Sequence, residues 1–557
     1  MAWVAAAISV LLWFTPAVVA DDMRAVPAVA AEIRTIIEET PGAILGQPVA
    51  AHDLRRLYAA FAYTPLWHLD AAREEGAQVV VEALLAAAKH GIDVTDLHLD
   101  ALQPRPWTPR SVAERDLLAS DSFLRYAGKL RRGSKSDDVR EGSADRFDPI
   151  DALIDALRAG TIARLVASLP PQDVEYRQMV DAHRRHRLFA DEGGWPVVPG
   201  TTELKLTPGD PRLPTLRERL RVEGDLEAEE SADAATALSV AVRRFQQRHG
   251  LEPDGRVGPL TLRELAVTTD QRSRQIAVNL ERWRWLPRRR GDTYVTVNVA
   301  AAALTLTRDG LAGPSRRVIV GDVRHPTPTF AARIAAVTVN PPWNVPATIA
   351  TREILPRLKR NPQYLAANDI VILGRPDDPF GLAVDWRGLS ARSFSFRLQQ
   401  RPGHRNALGA IKFEMPNRFD VYLHDTPDKR LFARPQRALS HGCIRVDRPI
   451  ELAAALLGDA AWSIEALETA VAQAETRRIE LLRPVPVYLV YLTAFVDDRG
   501  RINFRRDIYD RDAGVERALG LELRPGSRKG ADGIPGGCPE PTPLAEGAEI
   551  RGQPPGR

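Results

Sequence analysis

Apolar positions recur at helical spacing over the first half of the chain and alternate over much of the second. Leu54, Leu57, Tyr58 and Phe61 mark one helix face, and Val80, Val81, Leu84 and Leu85 another, so residues 45–130 are expected to be mostly helical. The polar run RRGSKSDDVREGSADRFD (131–148) reads as a loop, and Leu153, Leu157, Ile162 and Leu165 restore the helical period over 149–190. His183 and His186 lie among Arg184, Arg185 and Arg187, a pattern that predicts a solvated basic helix face rather than a metal site. An acidic stretch, Glu223 to Asp233, interrupts the next unit. Leu238, Val242 and Phe245 then form a helix face that stops at His249-Gly250, and after a turn at Asp254-Gly255, Thr261 is placed to cap a short second helix. From residue 292 the period becomes that of strands, in TYVTVNV, RRVIVG and IAAVTVN. Residues 352–408 are long and irregular, as a lid would be. FDVYLHD and HGCIRVD resume the strands, Asp447-Arg448-Pro449 opens a helix over ELAAALL, and two more strands are expected at 485–496 and 501–509. After about 520 the chain is rich in Gly, Pro and charge and reads as disordered.

At 557 residues the chain has room for about three to five domains. Its 44% apolar and 27% charged residues exclude wholesale disorder, a collagen-like fibre and a polytopic membrane protein. A net charge of +4, from 76 basic and 72 acidic residues, gives no reason to expect a nucleic-acid partner. Two cysteines, Cys443 and Cys538, cannot form a disulfide framework, and a four-cysteine zinc site is excluded by count. Cys443 is therefore either a small buried apolar residue or a reactive thiol. Residues 1–20 are apolar, with Val18 and Ala20 fitting the small-residue pattern of a cleavage site. No basic residue precedes Arg24, so the segment is either a signal peptide or a retained membrane anchor, and either one exports the rest of the chain.

The chemistry concentrates in two short segments. In a strand from Phe419 to Asp425, Phe419, Val421 and Leu423 would face the core and leave Tyr422 and His424 together on the opposite face. In the segment Ser440 to Val446, Ile444 and Val446 are core-like, while Cys443 and Arg445 share the other face. If the two strands are neighbours, a thiol and an imidazole meet as nucleophile and base, and an imidazolium would lower the thiol pKa. Gly442 would let the backbone approach closely, with nearby amides free to donate to an oxyanion.

Two sets of residues carry a family resemblance. The run FQQRHGLEPDGRVGPLTLREL, through Phe245, Gln246, Gly250, Leu251, Asp254, Gly255, Gly258 and Thr261, resembles the small peptidoglycan-binding domain of cell-wall enzymes. SHGCIRV, with His424 nineteen residues before Cys443, resembles the L,D-transpeptidase signature, and NPPWNVPATIA, NALGAIKF and YLHDTP resemble its large scaffold-bearing subgroup. The resemblance implies a multidomain α+β chain. Residues 45–200 would be a helical scaffold domain, 201–268 a small helical peptidoglycan-binding domain and 269–290 a scaffold return helix. A β-rich catalytic domain would span 291–515, with a capping subdomain inserted at 352–408, before a disordered tail at 520–557. It further implies Cys443 as nucleophile and His424 as general base, with His441 and Gly442 in the nucleophile loop, where their amides and that of Cys443 would serve an oxyanion hole. His441 could equally be structural. Arg445 would hold a substrate carboxylate, and Tyr422 and Trp343 would line the cleft unless they only pack. Asp425 either orients His424 or serves the turn before Thr426-Pro427. The implied reaction is 3→3 cross-linking of peptidoglycan stem peptides in the periplasm, without cofactor or metal, and with carbapenems as covalent inhibitors. An L,D-carboxypeptidase, an enzyme of protein–peptidoglycan links and a non-catalytic wall-binding scaffold remain as alternatives.

Overall fold

A computed structural model describes residues 26–39, 42–67, 71–103, 105–133, 147–207, 209–227 and 234–521. The candidate leader at 1–20, most of the 131–148 run, part of the acidic stretch, nearly all of the tail and Cys538 lie outside these residues. Among the described residues, no helix is long and apolar enough to cross a membrane. The first region is helical around one core that runs from Val29 to Leu169. Its central helix, Pro109–Arg132, starts at a capping box between Thr108 and Ser111 and stops at Gly133. Asp116 of this helix is fully buried; it accepts from the Tyr58 hydroxyl at 2.6 Å and from the amides of Leu66 and Trp67 at 2.9 and 3.0 Å. A small hairpin, β1 (Ala43–Ile44) and β2 (Gln47–Pro48), is joined to the helix through Asp121, which accepts from the Ala50 amide at 2.8 Å.

The second region is built on one sheet. Its early strands are β3 (Tyr294–Asn298), β4 (Ala303–Arg308), β5 (Leu311–Ala312), β6 (Arg316–Gly321) and β7 (Phe330–Val339). The chain then leaves for a subdomain with its own three-stranded sheet, β8 (Trp343–Asn344), β9 (Ile370–Ile372) and β10 (Leu398–Gln400). This subdomain starts at Trp343; residues 373–397 hold neither helix nor strand, as expected, but Trp386, Leu358, Leu365 and Ile354 give it a separate apolar core. The main sheet resumes with β11 (Ile411–Glu414), β12 (Leu423–His424), β13 (Ala438–Ser440), β14 (Ile444–Val446) and β15 (Arg477–Val490), and a hairpin of β16 (Ala494–Val496) and β17 (Ile502–Phe504) comes after it. The strand order is β13-β6-β14-β12-β11-β7-β15-β3-β4-β5, and a further pairing of β6 with β4 closes the sheet on itself. Helices Pro449–Leu457 and Ile464–Ala472 bury Leu452, Leu456 and Leu467 in the core of this sheet.

Between the two lies a compact unit of three helices, Leu213–Val222, Ala234–Arg248 and Pro259–Leu265, around Leu216, Leu238, Phe245 and Leu262. Gly258, not Thr261, caps the last of them, with Pro259 at its first position. Thr261 is buried instead, within 3.2 Å of Gln246 Nε2, which also donates to the carbonyl of Arg256 at 2.8 Å. The unit is firmly docked on the β16–β17 hairpin. Arg248 donates to the Ile502 carbonyl at 3.0 Å, and Arg505 donates to the Arg248 carbonyl at 2.8 Å. The His249 ring is stacked between Phe245 and Phe504, with centroids 3.9 and 5.6 Å away. Removing the whole unit would therefore uncover Phe504, and His249 belongs to the packing.

The helix Val174–Asp191 departs from its expected solvated face. Met179, Ala182, His183 and His186 form its inward stripe, and both histidines are buried. His183 Nδ1 lies 3.1 Å from the Lys89 carbonyl, and His186 packs edge-on against Trp195 and Phe504. Burial pushes both imidazoles down to about 4, and it pushes His90, beside Arg284, down to about 3. In the unfolded chain these rings take up protons near pH 6.5, while the folded chain refuses them until a lower pH. The unfolded state then binds more protons, so stability is complete above about pH 6.5 and is lost as pH falls toward 4. Thermal melts at fixed ionic strength are expected to show Tm falling steadily from pH 6.5 to 4.5. A Tm that stays level across that range would contradict this reading of the buried histidines.

Candidate active site

The site is set by the register of two short parallel strands. Leu423 pairs with Ile444 and His424 with Arg445, and the Ile444 amide donates to the Tyr422 carbonyl at 3.0 Å. Leu423 and Ile444 are fully buried in the sheet core. Alternation then sends Tyr422, His424, Cys443 and Arg445 to the opposite face. On the other side of β12, Lys412 of β11 lies directly across from His424 and joins the same face. Its ammonium sits 4.7 Å from the centroid of the Tyr422 ring and 3.0 Å from Glu414 Oε2.

The loop that delivers Cys443 is held by backbone and hydroxyl contacts. Ser440 Oγ donates to the Cys443 carbonyl at 2.5 Å and accepts from the Gly442 amide at 3.2 Å. Thr327, itself buried, donates to the Gly442 carbonyl at 2.8 Å. Gly442 has φ +110°, a conformation that an L side chain rarely adopts. Because its amide is already engaged by Ser440, Gly442 is not an open donor. The amides of His441 and Cys443 make no hydrogen bond among the described residues, and they are the ones available to an oxyanion.

Electrostatics favour the neutral forms of His424 and Cys443. Burial, then the charge of Arg445 and that of Lys412, push His424 down to about 3, although the neighbouring Asp425 and Leu408 backbone groups act the other way. Its Nδ1 is buried and has no hydrogen-bond partner. Burial also raises the Cys443 thiol, against the opposing pull of the Tyr422 amide and hydroxyl and of the Lys412 and Arg445 charges. These shifts favour a neutral imidazole beside a neutral thiol, with an imidazolium arising only as His424 takes a proton. With cations on both sides of His424, a third positive charge is costly there. The Arg445 side chain makes no hydrogen bond or ion pair among the described residues, and its Nε is buried without a partner. Burial lowers its pKa and the charge of Asp428 acts against that, yet a guanidinium in a protein keeps its charge, so Arg445 is a cation whose donors are left open to a closer anion.

The remaining expected residues have divided roles. Trp343, half-buried on β8, donates toward the Tyr422 hydroxyl and so joins the cap to the site face. Asp425 turns away from His424: it accepts from the Ala410 amide at 2.9 Å and pairs with Lys429, where it closes the turn after Gly409. His441 is exposed, and its Nε2 lies 2.8 Å from Glu353 Oε1 on the cap. Its ring centroid is 4.7 Å from that of His325, whose Nδ1 is 3.0 Å from Asp322. Lys412, Glu353, His325 and Asp322 join the site without having been expected from sequence. Only Lys412 carried a local signal, since it occupies the outward position of the alternating run Ile411-Lys412-Phe413. Among the described residues, no three His, Cys, Asp or Glu side chains are grouped to hold a metal ion.

Comparison with known proteins gives three family matches. Residues 292–472 match the L,D-transpeptidase catalytic domain known as YkuD, residues 52–182 a domain described as "Scaffold domain", and residues 210–265 one described as "Putative peptidoglycan binding domain". A Haemophilus influenzae protein named "Putative L,D-transpeptidase" is 35% identical over 249 residues, which is 44% of this chain and 50% of that one. The chain thus spans about half the length of this curated relative. A solved structure described as "Structure of the Ldtfm-avibactam carbamoyl enzyme" aligns over 37% of this chain and 51% of the other at 11% identity, but its TM-score of 0.19 carries no argument.

Proposed function

We propose that this chain, which carries an L,D-transpeptidase catalytic domain beside a scaffold domain and a peptidoglycan-binding domain, is an exported enzyme that forms 3→3 cross-links in peptidoglycan. The observation that supports it best is that Cys443, His424 and the unpartnered Arg445 share one face of two paired strands. Cys443 attacks the carbonyl between the third residue of a donor stem, commonly diaminopimelate, and its terminal D-Ala. His424 takes the thiol proton and passes it to the leaving amine. The C–N bond breaks, D-Ala departs and a thioester remains. The open amides of His441 and Cys443 hold the oxyanion, while Tyr422 and Trp343 line the cleft. A side-chain amine of a second stem then attacks the thioester, and Cys443 leaves. Water in its place yields the tripeptide.

Arg445 gives the donor a second task. Burial is the main reason that His424 is a weak base and the charge of Arg445 the second; a donor carboxylate beside Arg445 would offset the second, so binding restores part of the basicity. Replacing Arg445 with Gln removes a charge-assisted contact of about 1.5–3 kcal/mol, which corresponds to roughly a ten- to hundredfold loss in kcat/KM for the donor. Incubation with purified disaccharide-tetrapeptide, coupled to mass spectrometry, tests both points. The expected products are free D-Ala and a cross-linked dimer, both reduced in Arg445→Gln. Release of no D-Ala by the wild-type chain would overturn the assignment.

A further inference from the structure

Charge is divided unevenly around Cys443. Arg445 and Lys412 stand on the strand side, on the face that carries His424. On the cap side Glu353 meets His441, whose imidazole lies beside that of His325. Burial opposes the charge of Asp322, but the backbone and ring of His325 and the backbone of Arg324 outweigh it and hold the carboxyl below its usual range. The exposed Arg324 guanidinium is 3.6 Å from its second oxygen, so the free anion of this cluster is Glu353. Apart from His441, the Glu353 carboxylate has no hydrogen bond or ion pair among the described residues. It is carried on a π-helical turn, Ala350–Ile354, a geometry that is rare and concentrated at functional sites. The nucleophile loop does not need this contact, because Ser440 and Thr327 already hold it.

An attacking amine has requirements that water lacks. A primary amine of pKa near about 10 arrives as an ammonium. It is repelled by Arg445 and Lys412 and attracted by Glu353. It must also lose a proton before its lone pair can attack. With Nε2 of His441 donating to Glu353, Nδ1 is left as the acceptor, the arrangement by which a carboxylate fixes the tautomer of a catalytic imidazole.

We propose that His441, oriented by Glu353, is the base that deprotonates the acceptor's ammonium, and that the cap-side edge of the cleft is the amine-receiving subsite. This rests on the transpeptidase reading of the site. The ammonium gives one proton to His441 Nδ1, which later releases it to solvent. The neutral amine attacks the thioester carbonyl, a C–N bond forms and the C–S bond breaks. Cys443 leaves as a thiolate and recovers the second amine proton by way of His424. Glu353 is the positioning residue and supplies the charge that draws the ammonium in.

The test separates the two half-reactions in the full chain. Disaccharide-tetrapeptide serves as donor and acceptor, and free D-Ala, cross-linked dimer and hydrolysed tripeptide are measured against substrate concentration for the wild type, Glu353→Gln, Glu353→Asp and His441→Gln. The dimer-to-tripeptide ratio is expected to fall about tenfold or more in Glu353→Gln and His441→Gln, with a higher apparent KM for the acceptor, while Glu353→Asp restores part of it. An unchanged ratio in Glu353→Gln, with D-Ala still released, overturns this inference alone. No D-Ala from the wild type overturns the transpeptidase reading, and this inference falls with it.

Discussion

Cys443→Ala is expected to leave a folded protein that forms no cross-link, releases no D-Ala and gains no mass on exposure to a carbapenem. The expectation of folding comes from the loop's own contacts. Ser440 bonds the Cys443 carbonyl and the Gly442 amide, and Thr327 bonds the Gly442 carbonyl, so the sulfur holds nothing in place. The sulfur's contacts are with Tyr422 and, at 3.9 Å, the Asp420 carbonyl. Its loss removes a half-buried atom and costs about 1 kcal/mol at most, the ordinary cost of a small change outside the tight core. The loss of activity is far larger, because no other group on this face can form the thioester. Removing a nucleophile from a hydrolase of comparable logic costs about 10⁶-fold. The checks are intact-protein mass after carbapenem incubation, D-Ala release and a thermal melt. An adduct of one carbapenem on the Ala variant would move the nucleophile elsewhere, and the whole site with it.

How much of the site is legible in the sequence depends on the range of the interactions. The face on which Tyr422, His424, Cys443 and Arg445 meet comes from alternation alone. It holds even though β12 is paired only at Leu423–His424, far less than the expected strand from Phe419 to Asp425. The closure of the sheet and the direct opposition of Lys412 and His424 depend on registers between segments, which local pattern does not encode. The Glu353–His441 contact joins two subdomains across a long stretch of chain. His183 and His186 are a different case. Their i, i+4 and i+7 relation to Met179 is visible in the sequence, but the neighbouring arginines outweigh it as a signal. Those arginines flank an inward stripe, because side chains one and two positions apart on a helix point to different faces. Asp425 shows the opposite balance: next to His424 in sequence, it is spent on the Ala410 amide and Lys429.

His424→Gln separates a general base from an ion-pair partner, because the two roles predict different pH profiles. An imidazolium–thiolate pair would make the wild-type rate depend on the His424 charge near neutrality. Here His424 is neutral down to about pH 3, and the thiol lies above its ordinary value through burial. The wild-type rate of carbapenem acylation is therefore expected to be nearly level from pH 6.5 to 8, since neither group changes charge in that window. In the variant no side chain takes the thiol proton, and the rate at pH 7 should fall by about 10²–10⁴-fold, the usual loss on removing a general base. What remains requires a thiolate already formed in solution. That fraction rises about tenfold per pH unit below the thiol pKa, so the variant should gain roughly tenfold per unit up to pH 9 and close part of the gap. The sign is fixed by the chemistry: alkali supplies by mass action the deprotonation that His424 supplies by contact. Stopped-flow acylation of both proteins from pH 6.5 to 9, with melts at each pH, measures the two slopes. Parallel profiles, or a variant that matches the wild type at pH 7, would mean that another group activates Cys443, with the Tyr422 hydroxyl beside the sulfur as the first place to look.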